Sequence, residues 1–118
     1  MIEIRMTEGE YLPYTCTKKS ITIDDDISVN LQKREADEEV VIDIYRDINK
    51  NLMLGYDADA QHLVAQVLIP ARQYTFETKD NPDFNMNEEE SATNQKTVTT
   101  KTAVPFDIDK CTVRLFAI

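Results

Sequence analysis

A chain of 118 residues with 42% hydrophobic and 30% charged residues, two glycines and four prolines is long enough for one core and excludes collagen-like, low-complexity and linker-dominated classes. The formal charge of −9, from 22 acidic and 13 basic residues, repels nucleic-acid phosphate and anionic membrane surfaces. Lys18 with Lys19 and Lys33 with Arg34 are pairs that nearby acids largely cancel, and no aromatic-rich basic stretch occurs. Direct nucleic-acid binding and membrane association are therefore not expected, whereas a basic partner protein suits the charge, as does mimicry of nucleic acid by an acidic surface.

The opening "MIEIRMTEGEY" has neither the cationic flank nor the apolar run of a secretory leader, and no stretch approaches the roughly 18 apolar residues of a membrane span. A cytoplasmic protein folding as a single domain over residues 1–118 is expected. In "MIEIRM", Ile2, Ile4 and Met6 alternate with Glu3 and Arg5, the signature of a half-buried strand. In "ITIDDDISVNL", Ile21, Ile23, Ile27, Val29 and Leu31 share a parity that would drive Asp25 inward if one strand ran unbroken. A three-residue loop of Asp24, Asp25 and Asp26 avoids burying that carboxylate. It sets Ile23 opposite Ile27 and Ile21 opposite Val29, with Asp26 in the left-handed position. One long strand bulged at the triplet is the alternative.

A second hairpin follows, in which Val40, Ile42, Ile44 and Ile48 share one face and Leu52, Leu54 and Tyr56 another. Parity requires an odd loop. Asn49, Lys50 and Asn51 supply it, placing Ile48 opposite Leu52 and Ile44 opposite Tyr56, with Asn51 left-handed. Residues 59–68 fit a helix as well as a strand; the β-branched Val64, Val67 and Ile69 and the aromatic alternation of Tyr74 and Phe76 favour a strand, with Pro70 at an edge or bulge.

The arms "QYTFETK" and "KTVTTKTAV" alternate, and Val98, Thr100 and Thr102 can face Tyr74 and Phe76. Between them lies an exposed polar loop at about 80–95, so a projecting hairpin tipped by that loop is expected, with a floppy insertion as the alternative. The last run, "FDIDKCTVRLFAI", carries Cys111, Val113, Leu115 and Ala117 against Ile108, Phe116 and Ile118, as a central strand with a docked end would. Together these elements predict an all-β fold: a small antiparallel β-barrel or sandwich with a long polar loop between the last strands.

Chemistry is sparsely signalled. His62 is the only histidine, which removes most imidazole-based arrangements, and no P-loop, dinucleotide fingerprint or nucleophile elbow is present. Cys16 and Cys111 form no CxxC or zinc-knuckle spacing and read as free thiols. In "DADAQH", Asp57, Asp59 and His62 can close a mixed oxygen and nitrogen site around a divalent cation, the basis of an alternative reading as a metal-dependent hydrolase acting on a phosphorylated substrate. A solvated strand end is the competing reading, and the D-x-D spacing of Asp107 and Asp109 is treated alike. No cofactor is expected. Phe84 and Met86, apolar within a polar tip, can anchor a partner or fold back on the core. With Glu88, Glu89 and Glu90 they are the candidate binding residues.

The segments "IPARQYTFE" and "PFDIDKCTVRLFAI", with "ITIDDDI", resemble small uncharacterised proteins encoded in phages and prophages of Gram-positive bacteria. The resemblance covers roughly the last half of the chain and contains no catalytic motif. It implies a mobile-element setting, the cytoplasm of a host cell, and no reaction. The function expected on these grounds is a non-enzymatic protein-binding or assembly module, either a virion component or an inhibitor of a host factor or defence. Its partner would be a protein of the host or of the same element, with a homo-oligomer left open.

Overall fold

The structure is a computed structural model that describes residues 1–89 and 94–118. Of these residues 47% lie in strands and 6% in helix, so the fold is mostly β. Two compact units emerge, one formed by Met1–Arg72 with Pro105–Ile118 and the other by Gln73–Val104. In chain order the first unit holds β1 (Ile2–Arg5), β2 (Tyr14–Cys16), β3 (Ser20–Ile23), β4 (Ile27–Asn30), a helical turn α1 (Leu31–Arg34), β5 (Val40–Asp47), β6 (Leu52–Leu54) and β7 (Ala60–Ile69). The second unit holds β8 (Tyr74–Asp80) and β9 (Thr97–Ala103), after which the chain re-enters the first with a 3₁₀ turn (Ile108–Lys110) and β10 (Thr112–Leu115). No helix among the described residues is long and apolar enough to cross a membrane.

In the first unit a five-stranded sheet has the order β1-β10-β7-β5-β6, and β2-β3-β4 form a separate three-stranded sheet. Two expectations are corrected here. The five-stranded sheet is open, because β1 and β6 are its edges and do not pair, so no closed barrel forms. Nor is it wholly antiparallel: β1 runs parallel to β10, from Ile2 beside Thr112 to Arg5 beside Leu115. The core draws on both sheets, with Ile21, Ile23, Val29 and Leu31 from the β3–α1 stretch and Ile42, Ile44, Val67, Ile69, Val113 and Leu115 from the larger sheet.

The aspartate triplet is a turn, with Ile21 opposite Val29 and Ile23 opposite Ile27. Its left-handed residues are Asp24 (φ 53°) and Asp25 (φ 51°), not Asp26. Asp26 N–H donates to Ile23 O at 3.0 Å, closing a turn whose two central residues both have positive φ. That handedness matches the twist of the flanking strands, and aspartate tolerates it better than most residues.

The second hairpin keeps its odd loop but moves it by one residue. Arg46 faces Leu52 and Ile44 faces Leu54, not Tyr56, and Lys50 (φ 65°) takes the left-handed place assigned to Asn51. Asp47 decides this. Its carboxylate accepts from Asn49 N–H at 2.8 Å and Asn51 N–H at 3.0 Å, and its carbonyl accepts from Lys50 N–H at 3.0 Å. Ile48 is thereby pulled into the loop and exposed.

Residues 60–69 are a strand, central between β5 and β10. Its pairing with β5 passes from Ala65 opposite Ile44 to Leu63 opposite Tyr45, so Val64 is an extra, bulged residue. The bulge explains how the neighbours Val64 and Ala65 are both buried where strict alternation would expose one. β7 ends at Ile69, just before Pro70, which cannot donate to a ladder.

The most consequential correction concerns β1, which is a strand but is not half-buried. Glu3 and Arg5 lie beside Val113 and Leu115, the core-facing residues of β10. Ile2, Ile4 and Met6 consequently fall on the outer face, 51%, 42% and 48% exposed. Two tyrosines make the polar side tolerable near the core. Arg5 sits over the Tyr11 ring at 5.3 Å and donates to Glu3 at 3.2 Å, while burial and then the bonded Glu3 carboxylate push the Tyr14 hydroxyl up to about 12. The chain end is docked as expected: Phe116 N–H donates to Val64 O and Ile118 N–H to Glu10 O. At Gly9 (φ 141°) a Cβ would lie 2.8 Å from that of Ala117, so this approach requires glycine.

Candidate functional site

The second unit is a two-stranded arm, β8 against β9, paired from Tyr74–Ala103 to Asp80–Thr97. Every residue of both strands except Tyr74 is exposed. Val98, Thr100 and Thr102 pair with Lys79, Glu77 and Thr75, so they do not face Tyr74 and Phe76 as expected. With neither face buried, apolar parity specifies the register only weakly. Cross-strand contacts between exposed residues hold it: Lys101 lies over the Tyr74 ring at 3.9 Å, and the Thr78 and Thr99 hydroxyls are 3.1 Å apart.

Beyond Asp80 the described chain is built by asparagine. Asn81 N–H donates to Lys96 O at 3.0 Å, and its side-chain amide donates to Gln95 O at 2.7 Å, continuing the strand pair by one step. Its side-chain oxygen accepts from Asp83 N–H at 3.0 Å, and that of Asn85 accepts from Asn87 N–H at 3.0 Å. Asn94 then closes the tip. This side chain is buried, accepts from Asn85 N–H at 2.9 Å, and donates to Asn85 O and Glu89 O at 3.1 Å each.

Among the candidate binding residues, Phe84 is half-buried, Met86 is 87% exposed, and Glu88 and Glu89 are exposed. Glu90 lies outside the described residues. Residues 80–95 contain five acids and no lysine or arginine, so the tip presents one exposed thioether in a negative field. The asparagines that shape it were not singled out from sequence. Their signal is density, with Asn81, Asn85, Asn87 and Asn94 in so short a span.

The D-x-D pairs have the same local geometry. Asp57 accepts from Asp59 N–H at 2.7 Å and Asp107 from Asp109 N–H at 3.0 Å, each a side chain bonding its own backbone two residues on. Asp57 carboxylate is thus engaged in a turn, and His62 Nε2 lies 2.6 Å from Ala117 O. No cluster of three or more His, Cys, Asp or Glu that would hold a metal ion occurs among the described residues, so Asp57, Asp59 and His62 are not brought together as one. Both cysteines are free, Cys16 exposed and Cys111 buried. Burial raises each thiol, Cys111 to about 11, which keeps both protonated and poorly nucleophilic near neutrality. No protein-family model, curated protein or solved structure matches the chain.

Proposed function

We propose that the protein is a non-enzymatic binding or assembly module, and that the end of its arm is the contact surface for a basic protein. Met86 supplies the apolar anchor, Phe84 supports it, and Glu88 and Glu89 provide charge that draws in a basic partner and excludes acidic ones. The observation that carries this reading is the combination at the tip: a methionine 87% exposed on a loop whose backbone is tied down by the buried Asn94. A shaped loop loses less conformational freedom on binding than a slack one. Methionine suits adaptable protein surfaces because its thioether is polarizable and its side chain unbranched.

A setting in a phage or prophage fits this reading, with a virion protein, a host factor or a defence component as the bound partner. The test is affinity capture from host lysate with identification of the bound proteins, run with the intact chain, with residues 80–95 replaced by a short turn, and with Met86→Ala. Capture of a specific basic protein that is lost in the replacement and weakened about tenfold or more by Met86→Ala is expected, a loss typical of a central anchor. Undiminished capture after the replacement overturns the assignment of the tip.

A further inference from the structure

We propose that β1 is the seam of a symmetric dimer, pairing antiparallel with β1 of a second copy about a two-fold axis through Ile4. β1 bonds β10 on one side and, among the described residues, nothing on the other. Ile2 N–H donates to Cys111 O and Met6 N–H to Leu115 O, both at 2.8 Å, which turns the even-numbered backbone groups inward. The N–H and C=O of Glu3 and Arg5 therefore project from the free edge. Edges of soluble sheets are usually blunted by shortness, proline, a bulge or charged side chains, lysine and inward-pointing charges among them. β1 has such charges in Glu3 and Arg5 on its core-facing side, so its edge accepts only a partner that matches them. β1 has no proline or lysine and keeps unbroken register with β10 over its whole length. β2 and β6 have three residues each, and the arm carries Lys79 and Lys101. The edge strand β4 shares the length of β1 and its lack of proline and lysine, but buries Val29 and leaves Ser28 exposed, whereas β1 exposes Ile2 and Ile4.

Charge selects the occupant of this edge. An axis through Glu3 would set Glu3 against its own copy, and an axis through Arg5 would set arginine against arginine. The axis through Ile4 sets Glu3 opposite Arg5 twice, on one face, and lines up Ile2 with Met6, Ile4 with Ile4 and Met6 with Ile2 on the other. Of these three registers, each of which closes backbone hydrogen bonds, only this one is free of like charges directly opposite one another, a destabilising arrangement. It also gives a role to the outward row of Ile2, Ile4 and Met6, about half exposed in the single chain, by covering their flanks along the seam. The seam lies wholly within the first unit.

Sedimentation equilibrium of the untagged full chain is expected to show a dimer. Arg5→Glu and Glu3→Arg should each weaken it about tenfold or more, because two symmetry-related pairs turn repulsive at once, and the two changes together should restore it, with circular dichroism unchanged throughout. Ile4→Cys in a Cys16→Ser background should form a covalent dimer on mild oxidation, since facing residues in a non-hydrogen-bonded pair have Cα atoms about 4.5 Å apart. Ile2→Cys in the same background should not, because its neighbour is Met6. This cross-link reads the seam even if a charge variant fails to fold. A wild-type chain that stays monomeric at its highest soluble concentration, a dimer indifferent to the charge reversals, or cross-linking at Ile2 in place of Ile4 overturns the proposal.

Discussion

Among the described residues, all the buried apolar side chains lie in the unit formed by Met1–Arg72 and Pro105–Ile118, while the buried side chain of Gln73–Val104 is the polar Asn94. One unit is held by a core and the other by local hydrogen bonds, and the scales differ. Burying an isoleucine or valine contributes about 1.5–3 kcal/mol, whereas a hydrogen bond adds a net of about 0.5–1.5 kcal/mol. A two-stranded hairpin without a buried face is marginal in water. The arm should therefore open at a small fraction of the free energy that unfolds the core, which is where binding elements are usually drawn from.

The sharpest way to break this contrast is one truncation in each unit. Ile44 is fully buried and Phe76 is 67% exposed. Ile44→Ala should lower the unfolding free energy by about 2–5 kcal/mol through lost burial and a residual cavity, and Phe76→Ala should change it by less than about 0.5 kcal/mol. Urea denaturation followed by circular dichroism measures both. If the phenylalanine costs as much as the isoleucine, the arm has a core of its own and the contrast collapses.

Alkaline pH sharpens the same contrast from the side of the core. The Cys111 thiol is moved by burial from 9.0 to about 11. Below pH 9 it is neutral in folded and unfolded chains alike, so its packing counts in full. Between about pH 9 and 11 only the unfolded chain ionises, and stability falls by about 2–3 kcal/mol before this group's contribution levels off. Tyr14, raised from 10.0 to about 12 by burial and by Glu3, adds loss over the next interval in the same direction. Thermal melts across this range should show the decline. Cys111→Ala, less stable at neutral pH, should lose less between pH 9 and 11, and an identical slope would remove Cys111 as its cause.

How much of this was legible in the sequence follows from which force decided each element. In the β3–β4 hairpin, where the core face meets no competing side-chain bond, parity read the register correctly: Ile21, Ile23, Ile27 and Val29 found their partners, and the ambiguous segment 59–68 proved to be strand. Side-chain hydrogen bonds were not visible to parity. Asp47 moved a hairpin loop by one residue, and in the arm, with no buried face, Tyr74 and Phe76 met Ala103 and Lys101. β1 failed differently. Its alternation was read rightly and its orientation wrongly, because the core below it is closed by Tyr11 and Tyr14, which accept charged neighbours. The candidate site was half legible. Met86 stood out as apolar among polar residues, while Asn94, which shapes the loop around it, is an ordinary residue until its hydrogen bonds to Asn85 and Glu89 are seen.

Asn94 accordingly carries the smallest effect on global stability and the most specific one. Replacing it with alanine removes its bonds to Asn85 and Glu89 and leaves the N–H of Asn85 to water, while Asn85 O keeps the bond from Glu88 N–H, but those bonds lie in a unit that contributes little to the core. Hydrogen exchange at Asn85 and its neighbours should accelerate by about tenfold or more, as expected for losing bonds of roughly 1 kcal/mol each, with the unfolding midpoint in urea nearly unmoved. Asn94→Asp distinguishes the roles of the two ends of the amide. The carboxylate can still accept from Asn85 N–H but cannot donate to Asn85 O or Glu89 O, so protection of the Asn85 amide should survive in part while the loop around Glu89 loosens. A large drop in the urea midpoint for either variant would mean that the arm and the core unfold as one, and that local hydrogen bonds do more for this chain than its buried apolar surface suggests.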